Sequence, residues 1–451
     1  MSHSQRDRVV LNDGSTRSAP LINLCCSALL AIAGLASTQP VQLRGSHHVF
    51  LLSDSARSHL PAPSAAASHP AKPKTKMTAD PLLFRPIRVG RMSLKHRIAM
   101  APLTRYRADE KHVHHDLAVE YYGQRACCAG SLLITEATFI DPVAGGYTHA
   151  PGCYNAAQVA AWKKIVDEVH AKGSFIYLQL WALGRAAKPE VLQEESAADV
   201  VSASDIPLEG GATPRPLRKE EIQDYVKYYA RAAKLFVEEA GGDGVEVHKF
   251  VRANGYLLDQ FLQTNTNIRT DEYGGSVENR ARFPLEVAQA VVAAVGADRV
   301  GIRISPFSTF QEMKMPTTAE IKATFGYFVE ELAKRHPDLA YLHSVEARFS
   351  ETGHKIVDVP EGENLDFIHA IWAPRPLLLA GGFTADTAYD TAEQHSNVVI
   401  AFGRYWISNP DLVRRIKEDL PFTPYDRSTF YTKGADKYKG YTDYPFYGEE
   451  K

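Results

Sequence analysis

From residue 81 onward, short apolar runs alternate with longer segments that mix apolar and charged positions. Eight of these runs, bounded by Gly and Pro, read as strands buried on both faces: 98–102, 132–136, 176–180, 244–248, 300–305, 340–345, 376–380 and 397–401. Between them lie helical patterns, such as 156–171, 219–240 and 276–295. Eight strands with intervening helices predict an α/β fold, a closed parallel (β/α)8 TIM barrel rather than an open sheet. No G-x-G-x-x-G follows the first strand and no G-x-x-x-x-G-K-[ST] occurs, which disfavours a Rossmann domain and a P-loop.

Residues 1–78 differ in kind. They are rich in Ser, Ala and Pro, and 61–76 (PAPSAAASHPAKPKTK) has the composition of an unstructured linker. The apolar stretch 21–36 (LINLCCSALLAIAGLA) resembles a signal core but falls short of the ~20 residues of a membrane span. Three readings stay open for this region: a targeting segment, a disordered extension, or a start placed too early. The expected organisation is a leader-like extension over 1–78 and a barrel over 79–451.

Composition narrows the partners. The chain has 451 residues, 45% hydrophobic and 23% charged, enough to bury a large core without staples. A net charge of −2, with Lys and Arg dispersed, leaves no basic footprint for nucleic acid. Five cysteines (Cys25, Cys26, Cys127, Cys128, Cys153) form no C-x-x-C, which argues against a disulfide framework or structural zinc. No metal and no stable membrane partner are expected. The cysteine usage fits a reducing compartment, hence a cytoplasmic location.

In barrels of this class the working face lies at the C-terminal strand ends. Those ends carry Pro102 and Thr104 (strand one), Gln179 and Trp181 (three), His248 (four) and Arg303 (five). Strand seven ends in Gly381-Gly382, and strand eight leads into Gly403-Arg404. Singly, each has an ordinary structural explanation; a strand-end Arg is more often an ion-pair partner than a ligand contact. Together they suit a flat, polar, phosphate-bearing cofactor. Glycines after strands seven and eight let backbone N–H groups approach a phosphate, and Arg404 adds bidentate donors. Gln179 offers a donor and an acceptor to a pyrimidine edge, and Arg303 can stabilise negative charge on a reduced ring.

The motifs LFRPIRVGRMSLKHRIAMAPLTRYRA, LLITEATFI, IYLQLWALGRAA, ANGYLLDQFLQTNTNIRTDEYGGSVENRARF, VGIRISPF, LLAGGF and IAFGRYWISNPDL resemble the Old Yellow Enzyme family, the FMN-dependent ene-reductases. The likeness extends over 81–447 and is nearest to fungal secondary-metabolism members. It implies FMN held non-covalently at the barrel mouth, with Thr104 on a ring carbonyl and Ala137 where many relatives have Gly. It further implies Gln179 on the pyrimidine ring, Arg303 at the pole that gains charge, and Gly382, Gly403 and Arg404 on the phosphate. Trp181 and Tyr431 would shape the substrate pocket. NADPH, or NADH, would reduce the flavin, and an enone or enal would then be reduced at its C=C bond. His248 and Asn254 would bond the substrate oxygen and Tyr256 would supply a proton. The protein would be a monomer or homodimer. The alternative is a flavin-binding barrel with weak reductase activity, acting as an isomerase or binding protein.

One segment departs from the family pattern. Relatives space the donors as His-x-x-Asn or His-x-x-His; here Lys249, Phe250, Val251, Arg252 and Ala253 separate His248 from Asn254. The Asn-x-Tyr spacing survives. Either the extra residues are an error of the gene model or they are real. If real, the loop bulges outward with both ends in place, or it displaces His248 and leaves Asn254 to act alone.

Overall fold

The computed structural model describes residues 80–248, 255–347, 349–350, 355–356 and 358–449. Region 1–78, with its linker and apolar stretch, lies outside the described residues, as does the segment from Lys249 to Asn254.

Eight parallel strands close into a barrel: β1 Ile98–Met100, β2 Leu132–Phe139, β3 Phe175–Trp181, β4 Gly244–His248, β5 Val300–Ile304, β6 Tyr341–Val345, β7 Leu377–Ala380 and β8 Val398–Phe402. Each strand neighbours the next in sequence, and β8 pairs with β1. The principal outer helices are α1 Asp116–Arg125, α2 Ala156–Ala171, α3 Lys219–Lys234, α4 Val277–Val295, α5 Thr318–Arg335, α6 Asp366–Trp372 and α7 Ala385–Gln394. Side chains at the helix starts set the boundaries. Asn155, Ser276, Thr317 and Thr384 each accept from a backbone N–H of the first turn, satisfying a donor that has no intrahelical partner.

The expected (β/α)8 barrel is thus the observed fold, with local corrections. β1 ends at Met100 rather than at 102, since Pro102 has no N–H to extend the ladder. β2 continues past Glu136 to Phe139 through a one-residue bulge: Ile134 pairs with Tyr177, but the next pair is Ala137 with Gln179. The Thr135 hydroxyl fills the gap, accepting the Gln179 N–H at 3.1 Å. Such a bulge reverses the alternation and re-aims the residues beyond it. The pattern over 219–240 is α-helical to Lys234 and then a π-helical turn, Leu235–Glu239, that keeps Phe236 and Val237 buried.

An antiparallel hairpin, Ile87–Val89 with Met92–Leu94, joins the N-terminal end of the barrel interior. Val89, Met92 and Leu94 are buried among Ala99, Leu132, Ile134, Tyr177, Tyr341, Leu378 and Val399. Burying each of the three contributes about 1.5–3 kcal/mol. Gly90 takes φ +54 there, and a Cβ would collide with the Asp298 carbonyl. With that end plugged by side chains, the opposite mouth is the open one. Among the described residues no helix is long and apolar enough to cross a membrane, and Cys127, Cys128 and Cys153 are free thiols.

Candidate functional site

At the C-terminal mouth, the ends of β1, β5, β6, β7 and β8 surround a cavity with about 1020 Å³ of empty space, its opening included. Pro102, Arg303, Gly381, Gly382, Gly403 and Arg404 all line it. Its floor is a cluster of small side chains, Ala101, Val345, Ala380 and Ala401, which leaves room above the barrel core. Gly381 and Gly382 adopt φ of +120° and +67°, a region that side-chain-bearing residues rarely enter. A Cβ on Gly381 would lie 2.9 Å from the Glu346 Cβ. The turn therefore presents bare backbone to the cavity. Arg404 opens a short helix, Arg404–Ser408, and donates to the Tyr425 hydroxyl at 2.9 Å.

Beneath this mouth the barrel interior is polar. Glu246 on β4 is fully buried. It accepts from the Gln179 side-chain amide, from the Tyr341 hydroxyl at 3.1 Å and from His343 Nδ1 at 2.8 Å. A carboxylate can only accept, so Nδ1 carries the proton. Burial pushes the Glu246 carboxyl up, but His343, Arg303 and Gln179 pull it further down, so the net shift is downward and the group is ionised. His343 is held down at about 4, first by burial and then by the charge of Arg303, and stands neutral. The other atom of the Gln179 amide, Oε1, is buried without a hydrogen-bond partner. An acceptor orphaned in this way costs about 1–3 kcal/mol unless a ligand N–H meets it.

A third group forms an aromatic wall. Trp181, at the end of β3, stacks on Phe139 with centroids 5.1 Å apart. Its other neighbours are Tyr256 at 4.9 Å and Tyr147 at 5.7 Å, both edge-on. Tyr147 meets Tyr106 at 6.3 Å, and Tyr106 meets Tyr431 at 5.8 Å. Tyr431 is 38% exposed, and buried arginines anchor the segment around it. Arg105 donates to the carbonyls of Phe430 and Gly440, and Arg107 to those of Thr429, Lys437 and Lys439. Ala137 packs in the same cluster as Trp181 and Tyr256, brought there beyond the β2 bulge. Tyr256 is held from below: Gln260 Nε2 donates to the Gly255 and Leu183 carbonyls, and Asp259 accepts the Gly255 N–H.

The structure therefore brings most of the sequence-derived residues to one mouth, in two neighbouring groups. Arg303, Pro102 and the glycine turns share the cavity; Ala137, Trp181, Tyr256 and Tyr431 share the wall. Thr104 is buried two residues beyond Pro102. His248 ends β4 with its backbone in register with Arg303, and Asn254 lies outside the described residues. Glu246, His343, Tyr106, Tyr147 and Phe139 were missed by strand-end reading. The one available signal was a Glu and a His inside otherwise apolar runs, GVEVH and YLHSV. Among the described residues no group of three or more His, Cys, Asp or Glu could hold a metal.

The residues present fit FMN on two counts: the orphaned Gln179 acceptor suits a ring N–H, and the bare Gly381-Gly382 turn beside Arg404 suits a phosphate. Comparison with known proteins agrees. Residues 82–423 match the model of the NADH:flavin oxidoreductase / NADH oxidase family. A chanoclavine-I aldehyde reductase from Penicillium roqueforti is 50% identical over 81% of this chain and 97% of its own. A probable inactive dehydrogenase from Claviceps fusiformis is 45% identical over 81% of this chain and 94% of its own. Among solved structures, Old Yellow Enzyme from a Pichia species superposes with a TM-score of 0.74 at 41% identity, covering 83% of this chain and 96% of that one. Morphinone reductase in complex with tetrahydroNAD gives 0.72 at 40%, covering 82% and 99%.

Proposed function

The chain belongs to the NADH:flavin oxidoreductase / NADH oxidase family, and on that footing we propose that it reduces the C=C bond of an α,β-unsaturated aldehyde or ketone at a bound FMN. Bound FMN would supply the hydride chemistry, with NADPH as the reductant. The protein's own residues bind, orient and move the proton. Gln179 and Arg303 would hold the pyrimidine pole, Thr104 would bond a ring carbonyl, and Ala137 would flank the ring. Pro102 would border it, while Gly381, Gly382, Gly403 and Arg404 would hold the phosphate.

For the substrate, His248 and Asn254 form the donor pair on the carbonyl oxygen and stabilise the charge that develops there, as in an oxyanion hole. Trp181 and Tyr431 bound the pocket, and Tyr256 donates a proton to the α-carbon. The observation that carries this reading is the cavity where Arg303, the Gly381-Gly382 turn and Arg404 meet, together with the unmet acceptor of Gln179. Aldehydes are a fitting class, since relatives such as the chanoclavine-I aldehyde reductase are named for one.

The test is NADPH oxidation driven by cyclohexenone, in this chain and in one whose residues 249–253 are shortened to Gly-Ala. Turnover is expected in both, and faster in the shortened chain because the donor pair regains its close spacing. Equal rates would remove any effect of the extra residues. A yellow protein without turnover in either chain would contradict C=C reduction and favour a binding or isomerising barrel.

A further inference from the structure

We infer that Glu246 is a positioning residue for the flavin site: its carboxylate, buried beneath the barrel mouth, orients the Gln179 amide and offsets the charge of Arg303, and so sets how readily a bound flavin accepts electrons. The inference rests on the FMN reading above.

Four observations carry it. Glu246 and Gln179 are directly opposed in the β3–β4 register, so both side chains enter the barrel at one level. The Gln179 Nε2 is committed to Glu246 Oε1, which leaves Oε1 of Gln179 as its free acceptor. A side-chain amide has a donor end and an acceptor end, and an acceptor below engages the donor end and turns the oxygen upward. On the next strands, Arg303 lies beside His343 in register, and the Arg303 charge acts on both Glu246 and His343. His343, neutral, adds a hydrogen bond but no charge. The polar layer under the mouth therefore holds one anion against one cation, and Arg303 faces the cavity as a partly offset charge.

Reduction adds negative charge to the ring. A full cation at Arg303 would stabilise that charge more strongly than an offset one, because fields are weakly screened in a buried site. Glu246 thus holds the flavin less easily reduced than it would otherwise be. Removing only its charge should make reduction easier; removing its hydrogen bonding as well should loosen the flavin.

The experiment measures the midpoint potential of bound FMN and the dissociation constants of oxidised and reduced FMN. Glu246→Gln retains an acceptor for Gln179 and is expected to move the potential to a more positive value. The preference for reduced over oxidised FMN should rise on the order of tenfold. Glu246→Asp keeps the charge and is expected to stay near the wild-type potential. Tyr341→Phe removes one donor from the carboxylate, leaves its charge less neutralised, and should move the potential the other way. That conservative variant decides the question even where Glu246→Gln does not fold. A Glu246→Gln protein that binds FMN at the wild-type potential would overturn the inference, as would a positive or absent shift in Tyr341→Phe. A wild-type chain that binds no FMN would overturn both the inference and the reading beneath it.

Discussion

The indole of Trp181 and the phenol ring of Tyr256 meet edge to face, with centroids 4.9 Å apart and planes at 83°. Both rings are buried, and the backbone before Tyr256 is fixed by Gln260 and Asp259. Packing against Trp181 and the fixed backbone before it hold the phenol ring in place. Tyr256→Phe should keep the ring and remove only the proton donor. We expect the substrate half-reaction to slow by about 100- to 10,000-fold, the usual range for a general acid. Flavin reduction by NADPH should be unchanged. Stopped-flow measurement of the two half-reactions separates them; equal slowing of both would contradict the assignment.

Arg404 stands at the same cavity as the Gly381-Gly382 turn and is tied to Tyr425. Arg404→Ala removes a charge-assisted donor worth about 1.5–3 kcal/mol. FMN should bind about 10- to 150-fold more weakly, measured by recovery of flavin fluorescence on dilution. An unchanged dissociation constant would place the phosphate elsewhere.

Arg107 donates to carbonyls of Thr429, Lys437 and Lys439, and so holds the segment that carries Tyr431. Arg107→Ala would leave several of these acceptors unmet and cost about 2–4 kcal/mol. The expected readouts are a lower Tm and faster proteolysis within 427–445. A variant as resistant as wild type would show that the segment is anchored without it.

Glu136 is buried beside the Arg105 N–H, which donates to its Oε2 at 3.0 Å. Burial raises its carboxyl to about 7, against the opposing pull of Arg105 and Arg107. A raised carboxyl binds its proton more tightly in the folded state, so its contribution to stability is present below the unfolded value and is lost as pH rises through about 7. Glu136→Gln cannot ionise. Relative to wild type it should gain stability between about pH 4.5 and 7. Parallel Tm curves for the two proteins across that window would contradict the assignment.

Much of this was legible beforehand, for a physical reason. Strands buried on both faces must be apolar throughout, so runs such as 176–180 and 397–401 stand out from the amphipathic helices around them. Gly381 and Gly382 after β7 stand out because their positive-φ backbone disfavours any residue with a side chain. What escaped is what depends on partners distant in sequence. Glu246 and His343 look like interruptions of apolar strands until closure of the barrel sets them 2.8 Å apart. The bulge that brings Ala137 to the wall depends on Thr135 meeting the Gln179 N–H across two strands. Tyr106 and Tyr147 join Tyr431 to Trp181 only because arginines draw the C-terminal segment over the mouth. Pattern along one strand carries no record of such pairings.

A flavin bound at this mouth would accept hydride from a nicotinamide and pass it to an activated double bond. Purified protein should be yellow, and NADPH added without oxygen should bleach the flavin absorbance. Cyclohexenone added next, still without oxygen, should restore the oxidised spectrum with formation of cyclohexanone. A flavin that bleaches but is not reoxidised by the enone would contradict C=C reduction at this site.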